Sequence, residues 1–124
     1  MRYCQILDLK DDPLLIAEYE AHHRAVWPYV LTHLQNAGIK DMTLWRYGNR
    51  LVMLIEVEAD FSFERMAAME HSDPEIGKWE QLMWRFQQPI PGSCEGKWRL
   101  AHEIFKLSNA CSRSESAYSG AASI

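Results

Sequence analysis

Tyrosine, histidine and tryptophan recur at four-residue intervals in the stretch Glu18-Tyr19-Glu20-Ala21-His22-His23-Arg24-Ala25-Val26-Trp27-Pro28. On a helix, residues four apart lie about one turn above each other, so Tyr19, His23 and Trp27 would form a single stripe of phenol, imidazole and indole. An imidazole, with an ordinary pKa of about 6.5, takes and gives protons near neutrality, and a neighbouring phenol donates or accepts a hydrogen bond. The chemistry that suits this pairing is proton transfer. The same spacing also arises when two aromatic rings are buried in a core and histidines fill half-exposed positions, so the stripe alone leaves both readings open. His22 lies about 100° round such a helix from His23 and is expected at a surface or an interface. Glu18 and His22 stand four apart, as on many solvated helix faces. His33, His71 and His102 have no partner at ligand spacing, and no metal site is expected.

Such a stripe needs a helix, and the chain carries the signals for one. Asp11-Asp12-Pro13 supplies an N-cap and a proline for the first turn, helix-compatible sequence runs to Asn36, Ala37-Gly38 stops it, and Pro28 should kink it. Ahead of it, residues 2–9 alternate, with Tyr3, Gln5, Leu7 and Leu9 on one face and Cys4, Ile6 and Asp8 on the other, as in a strand covered in part on both faces. Residues 41–47 and 50–58 read as two more strands joined by a tight Gly48-Asn49 turn. A short helix over 61–70 is followed by the His71-Ser72-Asp73-Pro74 break and a longer helix whose Ile76, Trp79, Met83 and Phe86 repeat on one face. Residues 87–96, with Pro89, Pro91, Gly92 and Gly96, read as a loop long enough to fold over a site, and 98–107 as the last strand. From Ser108 the composition turns to Ser, Ala and Gly, and residues 108–124 are expected to be disordered. The order strand, helix, strand, strand, helix, strand specifies an α+β, ferredoxin-like βαββαβ domain over residues 1–107, with an antiparallel four-stranded sheet. Helices can cover only one face of that sheet while both faces carry apolar residues, so the open face is expected to meet a second copy in a homodimer.

Composition bounds the function classes. A chain of 124 residues fits one domain with a real core. Thirteen Lys and Arg against 17 Asp and Glu, scattered along the chain, give a formal net charge of -4 and argue against nucleic acid as a partner. The longest apolar runs, such as Leu51-Val52-Met53-Leu54-Ile55, are far too short to span a membrane, and Met1-Arg2-Tyr3-Cys4 leads straight into a strand with no signal-like core. A cytoplasmic protein is expected. Cys4, Cys94 and Cys111 lack metal-like spacing and suit reduced thiols.

Glu18-Tyr19, His23, Trp27-Pro28, Gly38, Lys78-Trp79 and the closing Glu103-Ile104-Phe105-Lys106-Leu107 together resemble the L-rhamnose mutarotase family over most of the chain. Proteins of that kind pair into a dimeric α/β barrel and interconvert the α and β anomers of 6-deoxy-L-hexoses. The resemblance implies that His23 is the catalytic acid/base, that Tyr19 binds the sugar beside it and that Trp79 lines the pocket, with no metal and no cofactor. Two positions depart from the rhamnose-type pattern: Met42 stands where a tyrosine opens the second strand, and Glu80 stands where the helical tryptophan is doubled. A thioether and a carboxylate there would change the hydrogen bonds to ring hydroxyls and the apolar wall against the methyl group. The single Trp79 followed by Glu80, and the segment Met83-Trp84-Arg85-Phe86-Gln87, are closest to the L-fucose mutarotase-like members. Glu80 sits either at the pocket rim or in solvent, and Trp27 is expected to pack at the kink.

Mutarotation takes a proton from the anomeric hydroxyl and gives one to the ring oxygen, and a positioned acid/base group contributes about 10²- to 10⁴-fold to such a step. On this reading the substrate is a monosaccharide, His23 does the main proton transfer, and Tyr19 orients a hydroxyl. Fold does not fix function, so a non-enzymatic barrel that binds a small molecule and an oxygenase-like barrel enzyme remain the alternatives.

Overall fold

The computed structural model describes residues 1–93 and 98–111. Cys94 and residues 112–124, which make up most of the expected tail, lie outside them.

The first strand, β1 (Arg2–Leu9), falls where the alternation places it. Asp12 then caps α1 (Pro13–His23): its carboxylate accepts from the Leu14 amide at 2.9 Å, and Pro13 fills the first turn, where a missing N–H costs nothing. The helix does not run on with a kink to Asn36. It ends at His23, and a separate helix α2 (Pro28–Asn36) begins after the break. The reason lies in Trp27, which stands before a proline and is pushed out of the helical region to φ -57° and ψ 132°. Gly38 closes α2 with φ +97°, a conformation side chains with a Cβ rarely adopt.

The hairpin follows: β2 (Ile39–Tyr47) and β3 (Arg50–Val57) pair antiparallel through a turn in which Gly48 has φ +60°. α3 (Phe63–His71) is capped by Ser62, and α4 (Pro74–Trp84) by Asp73, whose carboxylate accepts from the Glu75 amide at 3.0 Å. Two short strands, β4 (Gln87–Gln88) and β5 (Arg99–Ala101), and a last helical turn, α5 (Leu107–Cys111), complete the described chain.

The sheet runs in the order β2-β3-β1-β4, with β5 also paired to β1. β3 takes one edge of β1, so β4 and β5 share the other: Asp8 and Leu9 pair with β4, and Cys4, Gln5 and Ile6 with β5. This is the antiparallel, ferredoxin-like arrangement, with two corrections. The expected loop begins as a strand, because α4 delivers Gln87 directly to the end of β1. The expected last strand, 98–107, shrinks to three residues, since among the described residues no ladder pairing continues beyond Ala101 and Ile104 stands 94 % exposed.

Every second residue of β3 faces the helices: Leu51, Met53, Ile55 and Val57 are buried, whereas Val52, Leu54 and Glu56 on the other face are more open. Leu9, Tyr19, Val30, Leu51, Ile76, Trp79, Met83 and Phe86 form the larger core cluster, into which α1 and α4 insert one face each. Asp8, 3 % exposed, is paired with Arg50 across the β1–β3 ladder, with Arg50 Nε donating to its carboxylate at 2.8 Å. Cys4 is a free, half-buried thiol. Among the described residues no helix is long and apolar enough to cross a membrane.

Candidate active site

The last turn of α1 brings two members of the stripe together. The Tyr19 and His23 rings lie 4.4 Å apart, tilted by 40°. Tyr19 is 3 % exposed and meets Phe86 edge-on at 6.0 Å, while His23 keeps a half-open position. Trp27 departs from the stripe because the helix has already broken. It packs edge-on against Trp79 of α4 at 5.0 Å, and Trp79 in turn meets the His23 ring at 5.9 Å. His22, expected at a surface or an interface, is half-buried with its ring 5.6 Å from Phe86.

Hydrogen bonds fix the chemical state of the pair. His23 Nδ1 lies 2.8 Å from the carbonyl oxygen of Tyr19. A carbonyl only accepts, so in the neutral ring Nδ1 carries the proton and Nε2 holds the lone pair. Burial holds the His23 pKa below the ordinary histidine value, against the opposing pull of that backbone bond and with help from His22. At neutral pH the ring is therefore an uncharged base. Burial also pushes the Tyr19 phenol up to about 12; the bond from Gln87 works against this, and the nearby Glu80 carboxylate adds to it. Gln87 Nε2 donates to the Tyr19 hydroxyl at 3.4 Å. The phenol thus stays protonated, with its own O–H left to donate elsewhere.

A cavity of about 220 Å³ opens between the end of α1 and the β2–β3 hairpin, lined by Tyr19, Glu20, His23, Arg24, Leu44, Trp45, Arg46 and Leu51. It is smaller than drug-sized sites of roughly 300–1,000 Å³, which suits one small polar molecule. Of the residues singled out from sequence, Tyr19 and His23 line it. Trp79 does not: it is 8 % exposed and backs the His23 ring. Met42 is half-buried against the smaller core cluster of Ile39, Met53, Ile55 and Val57. Glu80 is half-buried on α4 and acts on Tyr19 through its charge. Sequence reasoning missed Gln87, Glu20, Arg24 and Arg46. Glu20 could have been found from its place beside Tyr19, and Arg46 from facing the helix side of β2 opposite Leu51.

A larger cavity, about 510 Å³, lies between α2 and the α3–α4 turn, among Tyr29, His33, Met69 and Asp73. None of the stripe residues reaches it. Buried His33 there faces Glu70, with Nε2 3.5 Å from the carboxylate. Among the described residues, no three His, Cys, Asp or Glu side chains gather closely enough to hold a metal ion.

An L-fucose mutarotase of Xanthomonas campestris pv. campestris is 52 % identical over 114 residues, covering 90 % of this chain and 91 % of that protein. An L-rhamnose mutarotase of Paraburkholderia phymatum is 32 % identical over 79 residues, covering 60 % of this chain and 67 % of that one. The crystal structure of an L-rhamnose mutarotase from Formosa agariphila superposes with a TM-score of 0.65 over 86 % of this chain and 97 % of its own, at 18 % identity, a likeness of fold. The family model for L-rhamnose mutarotase matches residues 2–107, which take in every strand of the sheet and the whole Tyr19–His23 pair. With that span and that identity, the chain belongs to the L-rhamnose mutarotase family.

Proposed function

We propose that this protein is a mutarotase that interconverts the α and β pyranose anomers of a 6-deoxy-L-hexose, with L-fucose as the preferred sugar. The observation that carries the reading is the state of His23: its Nδ1 proton is committed to the Tyr19 carbonyl, leaving Nε2 as an uncharged base. In the reaction, Nε2 takes the proton of the anomeric hydroxyl as the bond from C1 to the ring oxygen breaks. The ring oxygen receives a proton from the Tyr19 hydroxyl, oriented by Gln87. The aldehyde turns about the C1–C2 bond and the ring closes on its other face, returning both protons. No redox change occurs. The neutral phenol O–H and the neutral imidazole Nε2, on rings whose centres lie 4.4 Å apart, supply one proton donor and one proton acceptor at the same site.

The preference for L-fucose rests on the 52 % identity to an L-fucose mutarotase and on Met42 and Glu80, which we place among the substrate-binding residues together with Tyr19 and Trp79. Trp79 backs the His23 ring, and Glu80 acts on Tyr19 through its charge. The working form is a homodimer closed across the open face of the sheet. Supporting this, Cys4, Ile6, Val52, Leu54 and Trp45 emerge there, with Leu54 38 % and Trp45 61 % exposed, and Ile104 and Phe105 stand out beyond β5. The reaction would serve sugar catabolism in the cytoplasm. The test is polarimetry on freshly dissolved α-L-fucose: catalytic protein should shorten the approach to the equilibrium rotation, and an unaltered time course at every concentration would refute the reading.

A further inference from the structure

Two charged residues at the rim of the Tyr19–His23 cavity are held in a way that proton transfer at C1 does not explain. Glu20 follows Tyr19 on α1, and Arg46 lies near the end of β2. Arg46 Nε donates to Glu20 Oε2 at 2.5 Å, and Arg46 Nη1 donates to the Gly48 carbonyl at 2.8 Å. Two of the three guanidinium nitrogens are thereby committed, and the plane of the fork is fixed. Among the described residues, Nη2 and the second Glu20 oxygen have no protein partner. The side chains are 35 % and 42 % exposed, and ion pairs so open to water contribute little to folding. The β2–β3 hairpin beside them is already held by its ladder from Ile39 to Tyr47.

A carboxylate oxygen and a guanidinium N–H fixed side by side match two neighbouring hydroxyls of a pyranose, one donating to the acid and the next accepting from the base. With C1 and the ring oxygen held at Tyr19 and His23, the hydroxyls further round the ring are left for the rim. We propose that the Glu20–Arg46 pair is the hydroxyl-reading clamp of this site: it binds an adjacent pair of ring hydroxyls and decides which 6-deoxyhexose epimer enters. The proposal rests on the mutarotase reading above. L-fucose and L-rhamnose differ in configuration at C2 and C4, so a rigid clamp meets a differently disposed pair in each. A site built to hydrogen-bond a hydroxyl rejects the sugar that cannot supply it, because its own polar groups are then left unpaired. Arg24 lines the same rim but is exposed, and among the described residues no hydrogen bond fixes its side chain, so it lacks this rigidity.

The test is anomer exchange measured by NMR over a range of L-fucose and of L-rhamnose concentrations, for the wild type, Glu20→Gln, Arg46→Met and Arg46→Lys. The clamp predicts that KM for the preferred sugar rises by about ten- to hundredfold in Glu20→Gln and Arg46→Met, the effect of a lost charge-assisted hydrogen bond. The loss should fall on KM rather than kcat. Discrimination between the two sugars should shrink with it, and Arg46→Lys should recover only part, since an ammonium lacks the planar fork. Wild-type KM and discrimination in both variants, with unchanged circular dichroism, would overturn the clamp while leaving the mutarotase intact. So would an equal loss of kcat for both sugars. A wild type that accelerates neither sugar would overturn the mutarotase reading, and the clamp with it. Should Arg46→Met fail to fold, Glu20→Gln decides alone, because it keeps the shape of the side chain and removes only its charge.

Discussion

Replacing Tyr19 with Phe removes one oxygen from a ring that is 3 % exposed, and its consequences separate folding from chemistry. The ring contacts to His23 at 4.4 Å and to Phe86 at 6.0 Å survive, so the packing term is nearly untouched. What is lost for stability is the acceptor of the Gln87 side chain, itself only 8 % exposed. Leaving a buried donor unsatisfied costs about 1–3 kcal/mol, and a bond of 3.4 Å puts this case at the lower end, about 1 kcal/mol. For a domain of this size that is a fall in Tm of about 4 °C. For catalysis the loss is the proton donor to the ring oxygen, about 10²-fold in kcat, the low end of what a positioned acid contributes. Anomer exchange by NMR and a melt by circular dichroism read the two effects separately. A second variant, Tyr19→Phe with Gln87→Leu, removes both partners of the bond; it should regain most of the lost stability and none of the activity. Full activity in Tyr19→Phe would refute the role of the phenol, and recovery of activity in the double variant would show that the single change had acted through folding alone.

Further outcomes follow from the same geometry. Because burial holds His23 below the ordinary histidine pKa, the neutral base persists into mildly acidic solution: kcat/KM should be flat around pH 7 and fall on the acid side with a midpoint below 6.5, and a midpoint above 6.5 would contradict the burial argument. Phe86→Ala should cost about 3–5 kcal/mol by urea unfolding, since the ring is fully buried between α1 and α4; a cost below 1 kcal/mol would mean that the core collapses around the gap. Leu54→Asp, in the middle of the open sheet face, should yield a monomer by size exclusion with light scattering, and a dimer that survives the change would place the interface elsewhere.

Local signals were legible in the sequence wherever one chemical group decides the outcome. Asp12 with Pro13, Asp73 with Pro74, and Gly48-Asn49 set two helix starts and a hairpin turn through caps and backbone freedom within a few residues. Pro28 marks a kink in the sequence and a break in the structure, because whether a chain bends or splits at proline depends on what waits beyond. Here Trp79 receives the Trp27 ring. β4 was not legible: two glutamines look like loop, and only their arrival against Asp8 and Leu9 makes them strand. The site shows the same division. Tyr19 and His23 are four residues apart and met as the helix dictates, whereas Gln87 reaches Tyr19 from 68 residues away and Arg46 reaches Glu20 from 26. No periodicity carries such pairs. Trp79 illustrates the limit from the other side: its periodicity marks a buried helical face, and burial is what keeps it off the cavity wall.

His23 is the residue proposed to move protons on the deoxyhexose. Saturation-transfer NMR tests it most directly: one anomeric proton of L-fucose is irradiated and the loss of signal at the other is followed, with wild type and with His23→Asn, then repeated with L-rhamnose and D-glucose. Exchange should be fast for wild type on L-fucose, slower on L-rhamnose and at the protein-free rate on D-glucose, and His23→Asn should fold and fall to the protein-free rate on all three. Exchange in His23→Asn equal to that of wild type, or no acceleration of any sugar by wild type, would contradict it.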